Sequence, residues 1–321
     1  MARYLVTGGA GFIGSHLVDR ILARGDEVVV FDNFNDFYDP AIKRRNVAAH
    51  VGNPAFRLVE GDLRDPASIR SALEGGVDLV VHLAAMAGVR PSLRDPGLYV
   101  DVNLRGTVNL YDAVLEHGAR PIVFASSSSV YGANEKVPFA ESDPVDHPVS
   151  PYAATKKAGE LLSFTYHHIH ALDITCLRFF TVYGPRQRPE MAIHKFVRHV
   201  DEGIPLPMFG DGTTRRDYTF VDDIMDGVVR AMDHCSGSGY RVYNLGESRT
   251  VELRELIGII ESALGKRAVI DRQLDQPGDV PATFADISLA REELGYSPGV
   301  DIEEGIATFV SWYREQKDRR S

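Results

Sequence analysis

The chain has 321 residues, and its 45 acidic and 35 basic residues give a formal charge of −10. This charge disfavours non-specific binding to nucleic acid or to an anionic membrane surface. The hydrophobic content of 44% and the charged content of 25% are those of an ordinary globular protein. Two cysteines, Cys176 and Cys235, are too few for a disulfide framework and fit a reducing compartment. With no leader-like start and no apolar run near the ~18 residues of a membrane span, we expect a cytoplasmic protein.

A glycine-rich turn near the start predicts a dinucleotide site. A short apolar strand at residues 4–6 runs directly into Gly8, Gly11 and Gly14, and a helix then extends to about residue 24. In this context glycines let the backbone approach a pyrophosphate, and the helix N-terminus supplies positive potential. The alternative is a turn that is merely flexible.

The second predicted strand, residues 27–31, ends at Asp32. An acid there accepts hydrogen bonds from the adenosine ribose and repels a 2′-phosphate, which favours NAD over NADP. The third and fourth predicted strands, residues 56–59 and 79–82, lead to further candidate cofactor contacts. His82 falls in a buried-strand pattern, and we interpret it as a core residue rather than a catalyst.

Candidate catalytic residues follow the fifth predicted strand, residues 121–125. Four serines, 126–129, place hydroxyls at the carboxyl end of the sheet, where doubly wound folds bind ligands. Further on, Ser150 suits an N-cap, and Tyr152 and Lys156 share one helix face. An ammonium ~4 Å away is worth on the order of 4 kcal/mol at a dielectric of about 20, so Lys156 is expected to lower the pKa of the phenol. The same spacing is also common on ordinary surface helices.

Strand and helix alternate through the sixth predicted strand, residues 174–179, which predicts an α/β fold with a Rossmann-type doubly wound parallel sheet. A long helical pattern spans residues 96–116. Beyond residue 180 the alternation loosens, which predicts a smaller α/β substrate-binding lobe. The predicted later helices are at residues 191–202, 222–233, 251–264 and 302–316. The predicted domains are 1–180, with 217–247 returning to it through strands near 218–221 and 242–245, and a lobe made of 181–216 and 248–321.

The glycine turn with Asp32, Ser127, Tyr152 and Lys156 resembles the extended short-chain dehydrogenases/reductases, NAD-dependent epimerases that act on nucleotide sugars. The resemblance covers essentially the whole chain, including residues 216–218 and 276–279. Stretches 31–40, 153–160, 179–185 and 188–192 resemble UDP-glucuronate 4-epimerases in particular. UDP-glucose 4-epimerases are similar, but more usually carry Asn at the position of Thr181 and Arg at that of Gln276.

The resemblance implies a 4-epimerase that keeps NAD bound. Tyr152, as phenolate, takes the proton from the hydroxyl on carbon 4 while the hydride of that carbon passes to NAD. The 4-keto sugar then turns and takes the hydride back on its other face. Lys156 would lower the phenol pKa and bind the nicotinamide ribose, and Ser127 would hydrogen-bond the reacting oxygen, with Ser129 as the alternative for that role.

Two sets of binding residues also follow from the resemblance. The implied cofactor residues are Gly8, Gly11, Phe12, Ile13, Gly14, Asp32, Asn33, Asn35, Asp62, Leu63, Leu83, Ala84, Ala85, Asn103, Ser126, Tyr152, Lys156 and Phe179. The implied substrate residues are Ser127, Ser129, Thr181, Arg186, Arg188, Ala192, Ile193, Phe209, Arg216 and Asp279. No metal is expected, since His167, His168 and His170 lack the i, i+4 spacing of a helical site.

The choice of substrate depends on one charged group. A uronic acid brings a carboxylate that an arginine can bind bidentately. The resemblance puts this arginine at Arg186 or Arg188, and Arg188 is preferred. Alternatively, both arginines line a solvated loop or face the diphosphate. Ser128 and Ser129 stand where related decarboxylases and 4,6-dehydratases usually carry an acid, which argues against both reactions.

Four further expectations concern alternative functions, the oligomeric state and binding partners. The runner-up function is a UDP-glucose/UDP-galactose 4-epimerase, and a more remote one is an NAD-sensing regulator without catalysis. The resemblance also implies a homodimer that pairs the helix near residues 103–116 with the helix bearing Tyr152. We expect no nucleic-acid or membrane partner.

Overall fold

The computed structural model describes residues 1–118, 121–274 and 282–318, and strands and helices alternate over most of them. The strands are β1 (Arg3–Thr7), β2 (Glu27–Asp32), β3 (Phe56–Glu60), β4 (Leu79–His82), β5 (Ile122–Ser127), β6 (Ile174–Phe179), β7 (Thr181–Tyr183), β8 (Leu206–Phe209), β9 (Arg215–Arg216), β10 (Tyr218–Phe220), β11 (Tyr240–Leu245), β12 (Val251–Glu252) and β13 (Ile270–Gln273). The helices are α1 (Phe12–Ala23), α2 (Pro40–Val47), α3 (Pro66–Leu73), α4 (Val89–Arg94), α5 (Pro96–Val100), α6 (Gly106–His117), α7 (Pro151–His170), α8 (Ala192–Glu202), α9 (Val221–Cys235), α10 (Leu253–Leu264), α11 (Ser288–Leu294) and α12 (Ile302–Asp318).

A seven-stranded sheet forms the centre of the described structure. Its order is β11-β6-β5-β4-β1-β2-β3, and every neighbouring pair is parallel. The chain leaves β1 toward one edge and returns to β4 on the other side, so the carboxyl ends of β1 and β4 border a crevice. The predicted doubly wound parallel sheet is thereby confirmed.

Alternate residues of each central strand enter different hydrophobic layers, because successive side chains of a strand point to opposite faces. In β2, Val28 and Val30 belong to the layer that contains Leu17 of α1, whereas Val29 belongs to the layer that contains Leu110 of α6. Both faces of the sheet are therefore covered by helices, which explains the nearly continuous apolar sequence of its strands.

Beyond β6 the chain departs partly from the predicted course. The β11 strand joins the central sheet beside β6, as expected, but β10 does not. It pairs in parallel with β7 in a separate two-stranded sheet, with Tyr218 opposite Thr181. The β7 strand follows β6 after only Phe180 and offers β10 an edge outside the main sheet. The division of the chain into two lobes stays a prediction.

The helix predicted over residues 96–116 consists of three consecutive segments, with a π-helical turn, Asp101–Arg105, between α5 and α6. Asn103 lies in this turn, and its amide forms hydrogen bonds with both backbone groups of Met86, at 2.8 and 3.0 Å. The turn therefore fixes the segment that follows β4. Within the described ranges, no helix combines the length and apolarity needed to cross a membrane.

Candidate active site

A cavity of about 610 Å³ opens at the carboxyl edge of the sheet, along the ends of β1, β2, β4 and β5. The three predicted catalytic residues, Ser127, Tyr152 and Lys156, line it together. Every predicted cofactor residue except Asn103 lines the same cavity, and so do the predicted substrate residues Ser129, Thr181, Arg188 and Ala192. One continuous space thus connects the glycine turn to the region of Arg188.

The glycine turn has the shape that a pyrophosphate site requires. Gly8 has φ +70°, and a Cβ there would lie 2.8 Å from the backbone nitrogen of Ala84. A Cβ on Gly14 would overlap the carbonyl oxygen of Gly8. Gly11 caps α1 without a side-chain hydrogen bond, so the first amides of this helix stay available at the cavity. These features fit a dinucleotide such as NAD.

At the end of β2, Asp32 is buried and accepts hydrogen bonds from the backbone of Ala10, at 3.2 Å, and of Phe34, at 2.9 Å. Lys43 of α2 lies with its ammonium 3.8 Å from the Asp32 carboxylate and donates to Asn35 at 3.0 Å. Lys43 lines the cavity but was not predicted from the sequence, because it lies in a short polar helix with no apolar pattern.

Tyr152 and Lys156 lie on one face of α7, whose N-terminus is capped as predicted: the backbone N–H of Ala153 donates to the Ser150 hydroxyl at 3.1 Å. The Lys156 ammonium donates to the carbonyl oxygen of Ala125 at 2.6 Å. Burial lowers the pKa of Lys156 to about 8. The Lys156 charge is thus directed toward the sheet.

Burial raises the pKa of Tyr152. In the described chain, the Ser127 hydroxyl and the Arg188 charge oppose this effect, since each lowers the pKa of the Tyr152 phenol. The effect of Lys156 on the Tyr152 pKa stays a prediction, because sequence spacing gives the helix face of Lys156 but not the carbonyl that its ammonium meets.

Ser126 and Ser127 are neighbours in β5 and make different contacts. The Ser126 hydroxyl donates to Glu160 at 2.6 Å, beneath the site. The Ser127 hydroxyl accepts from the backbone N–H of Ser129 at 3.1 Å and thereby caps the short 3₁₀ turn that follows. Glu160 also pairs with Arg178 through two hydrogen bonds of 2.8 and 2.9 Å. A buried ion pair therefore supports the strand end that carries both serines.

The two candidate arginines have different surroundings. Arg188 lines the cavity, its guanidinium lies 5.5 Å from the centre of the Phe37 ring, and its Nε is 3.2 Å from Glu190. Arg186 is not among the described residues that line the cavity, and it pairs with Asp19 of α1 at 2.8 Å. The geometry therefore favours Arg188 over Arg186 as the candidate that binds a substrate carboxylate.

The other predicted substrate residues lie farther from the cavity. Ile193 is buried in the core, and the Phe209 ring lies 5.0 Å below the Arg90 guanidinium. Arg216 is in β9, where its side chain donates to the carbonyl of Arg215. None of these three is among the described cavity-lining residues. Asp279 and Gln276 lie outside the described residues.

Three remaining predictions concern Asn103, His82 and the absence of a metal site. Asn103 lies behind the cavity wall, where it also donates to Thr155 at 3.0 Å, so it supports the wall. His82 is buried between Thr7, at 2.7 Å, and Thr107, at 3.0 Å, which confirms its interpretation as a core residue. No cluster of three or more metal-ligating side chains is present in the described part of the chain.

Residues 4–246 match the NAD dependent epimerase/dehydratase family, which is about three quarters of the chain. The chain therefore belongs to this family of NAD-dependent enzymes.

Within the family, its relatives include UDP-glucuronate 4-epimerases. It is 46% identical to UDP-glucuronate 4-epimerase 1 of Arabidopsis thaliana, over 96% of this chain and 76% of the relative. It is 41% identical to a probable UDP-glucuronate 4-epimerase of Rhizobium meliloti, over 99% and 98% of the two chains. The crystal structure of UDP-glucuronic acid 4-epimerase from Bacillus cereus, in complex with UDP-glucuronic acid and NAD, superposes with a TM-score of 0.92 at 36% identity, covering 98% of this chain and 99% of that one.

Proposed function

We propose that this chain is an NAD-dependent 4-epimerase that interconverts UDP-glucuronate and UDP-galacturonate. The observation that carries the proposal is the meeting of Ser127, Tyr152 and Arg188 in the cavity that begins at the glycine turn. The names of the relatives and of the superposed structure support the same substrate.

In the proposed reaction, Tyr152 removes the proton from the hydroxyl on carbon 4 and later returns it. Ser127 hydrogen-bonds that oxygen, and the Arg188 charge favours the phenolate. NAD, when bound, takes up a hydride from carbon 4 and gives it back to the other face of the sugar. The glycine turn and Asp32 would hold this cofactor, and Lys156 would contact its nicotinamide ribose.

A uronate substrate also needs control of its carboxylate. Oxidation at carbon 4 makes a β-keto acid, which loses carbon dioxide when the carboxylate stands perpendicular to the ketone plane. Arg188 and Thr181 both line the cavity, which supports the proposal that they hold the carboxylate nearer that plane. Ser128 and Ser129 supply no acid for a competing elimination.

Chromatography of UDP-glucuronate incubated with the pure protein tests the proposal. The expected products are UDP-galacturonate and almost no UDP-pentose. Much faster interconversion of UDP-glucose and UDP-galactose would instead identify the runner-up, a neutral-hexose 4-epimerase.

We also propose that the nucleotide portion of the substrate binds to the predicted lobe of residues 181–216 and 248–321. In this proposal Phe209 lies near the uracil and Arg216 near the diphosphate.

We also propose that the protein is a homodimer built on α6 and α7. Leu161 and Phe164 of α7 are 57% and 51% exposed, and a shallow apolar groove between the helices is lined by Leu104, Val108 and Leu162, among others. Burial of this face against a second copy would remove apolar surface from water. Light scattering should give twice the chain mass, and Leu161→Asp should give a monomer. A monomeric parent protein contradicts the proposal.

A cytoplasmic location is proposed as well, because Cys176 and Cys235 are both free thiols in the described structure. Fractionation of cells that express the chain tests this, and recovery from an extracytoplasmic fraction would contradict it.

A further inference from the structure

The segment that follows β2 reaches from the predicted cofactor site to Arg188. Asp32, Asn33 and Asn35 line the cavity at one end, and Phe37 and Tyr38 line it farther along. This segment belongs to the stretch 31–40 that resembles UDP-glucuronate 4-epimerases, yet cofactor binding accounts only for its first residues. The role of Phe37 is therefore open.

Phe37 lies under the charged group of Arg188. The guanidinium carbon is 5.5 Å from the ring centroid, within the range of a cation–π contact. The Arg188 Nε is also 3.2 Å from the Glu190 carboxylate. A ring face binds the guanidinium plane without using any N–H donor, so the terminal nitrogens stay available for a carboxylate. The Arg188 side chain is 21% exposed, so most of it is held among neighbours.

Phe37 is itself fixed from two sides. Its backbone N–H donates to the Asn35 side chain at 3.3 Å, and Asn35 also accepts from Lys43 at 3.0 Å. Its ring packs against the apolar cluster of Met86, Tyr99 and Val102, which Tyr152 also contacts. The orientation of Arg188 is thereby tied to the wall that carries the catalytic phenol.

We propose that Phe37 is a positioning residue that holds the Arg188 guanidinium in the plane needed to receive the substrate carboxylate, and so favours epimerisation over loss of carbon dioxide. This inference rests on the proposed function. If the carboxylate swings out of the ketone plane, the bond between carbons 5 and 6 breaks and carbon dioxide leaves. The electron pair stays on the sugar as the enolate of the 4-ketone, and water then protonates carbon 5. A UDP-linked 4-ketopentose is the product that reports this failure.

Phe37→Leu and Phe37→Tyr test the inference, with Phe34→Leu as the matched control. Phe34 lies on the same segment and also carries an arginine over its ring, Arg44 at 4.2 Å, but it packs in a separate apolar cluster. For each protein, kcat/KM is measured with UDP-glucuronate and with UDP-glucose, together with the fraction of pentose-type products. Bound NAD and the melting temperature show whether a variant is folded and loaded.

Phe37→Leu should lower kcat/KM for UDP-glucuronate about five-fold, the loss that ~1 kcal/mol of cation–π energy represents, and should raise the pentose fraction. Phe37→Tyr keeps a ring face and should restore both values, and Phe34→Leu should leave the pentose fraction at the parent level. An unchanged pentose fraction in a folded Phe37→Leu, or equal losses with both sugars, overturns the inference. Failure of the parent protein to epimerise UDP-glucuronate would instead overturn the proposed function.

Discussion

The Lys156 ammonium and the Ala125 carbonyl oxygen form a 2.6 Å hydrogen bond that joins α7 to β5 in the interior of the protein. Because burial lowers the lysine pKa to about 8, this charge is held against a desolvation cost. Residues of this kind are characteristic of functional sites, where a charge is kept although it does not favour stability.

The pH dependence of stability should reveal this buried charge. Below pH 8 both the native and the unfolded state carry the Lys156 proton, whereas between pH 8 and 10.5 only the unfolded state keeps it. The parent protein therefore gains stability from Lys156 as the pH rises through this window. Lys156→Met lacks the group, so the melting temperature of the parent relative to Lys156→Met should rise over the same window. A difference that stays constant in calorimetry at several pH values would contradict the prediction.

Tyr152→Phe tests whether the protein is an enzyme at all. Loss of the proton-transfer group should lower kcat for UDP-glucuronate on the order of 10²- to 10⁴-fold, since general acid–base catalysis typically supplies this much. Bound NAD and the melting temperature should stay near the parent values. A folded Tyr152→Phe protein with an unchanged biological output would favour the NAD-sensing regulator.

Arg188→Ala should separate the uronate from the neutral hexose. Removal of a charge-assisted partner of the carboxylate should lower kcat/KM for UDP-glucuronate by about 10- to 100-fold and affect UDP-glucose much less. Arg186→Ala is the comparison, because Arg186 is not among the described cavity-lining residues and pairs with Asp19. If Arg186→Ala shifts the uronate-to-hexose ratio more than Arg188→Ala does, the assignment of the two arginines is reversed.

Gly14→Ala should weaken both folding and NAD retention. The added methyl group would overlap the Gly8 carbonyl oxygen, which is backbone and cannot rotate away. Gly258 in α10 is the control site, because apart from the adjoining helix backbone no heavy atom of the described structure lies within 4 Å of the position that an added methyl group would take there. Gly258→Ala should keep its NAD and gain up to about 1 kcal/mol of helix stability. Retention of bound NAD by Gly14→Ala, measured after gel filtration, would refute the proposed role of the turn.

His82 should stay neutral at every physiological pH. Burial lowers its pKa from 6.5 to about 3, so between these values only the unfolded state takes up the proton. Stability is therefore lost as the pH falls below 6.5. His82→Gln removes this term, so its melting temperature should fall less steeply on acidification. An NMR signal that is assigned to the His82 imidazole and titrates near neutral pH would contradict the expectation.

Local signals were sufficient for most of the fold. The order of apolar strand, glycine turn and helix around Gly8 and Gly14 depends on backbone freedom and side-chain period, and both are visible in the sequence. The cap at Ser150 likewise depends on neighbouring residues. These features predicted the central sheet, whereas most of the predicted cavity residues were implied by the family resemblance, and Lys43 was missed.

Long-range partners were not predictable in the same way. Nothing local distinguishes Arg186, which meets Asp19 of a distant helix, from Arg188 two positions later. The pairing of β10 with β7 depends on which strand edge is available after the chain leaves the central sheet at the end of β6. The Glu160–Arg178 pair joins residues 18 positions apart on different elements, and only tertiary packing brings them together.

The run of four serines after β5 has a consequence for the design of variants. Both Ser126 and Ser127 line the cavity, but the Ser126 hydroxyl donates to the buried Glu160, whereas the Ser127 hydroxyl acts on the Tyr152 phenol. Deleting one residue within β5 would turn each of the following serine side chains to the opposite face of the sheet. The run of serines would still be recognisable in a sequence alignment. The Ser127 hydroxyl, however, would no longer face the Tyr152 phenol.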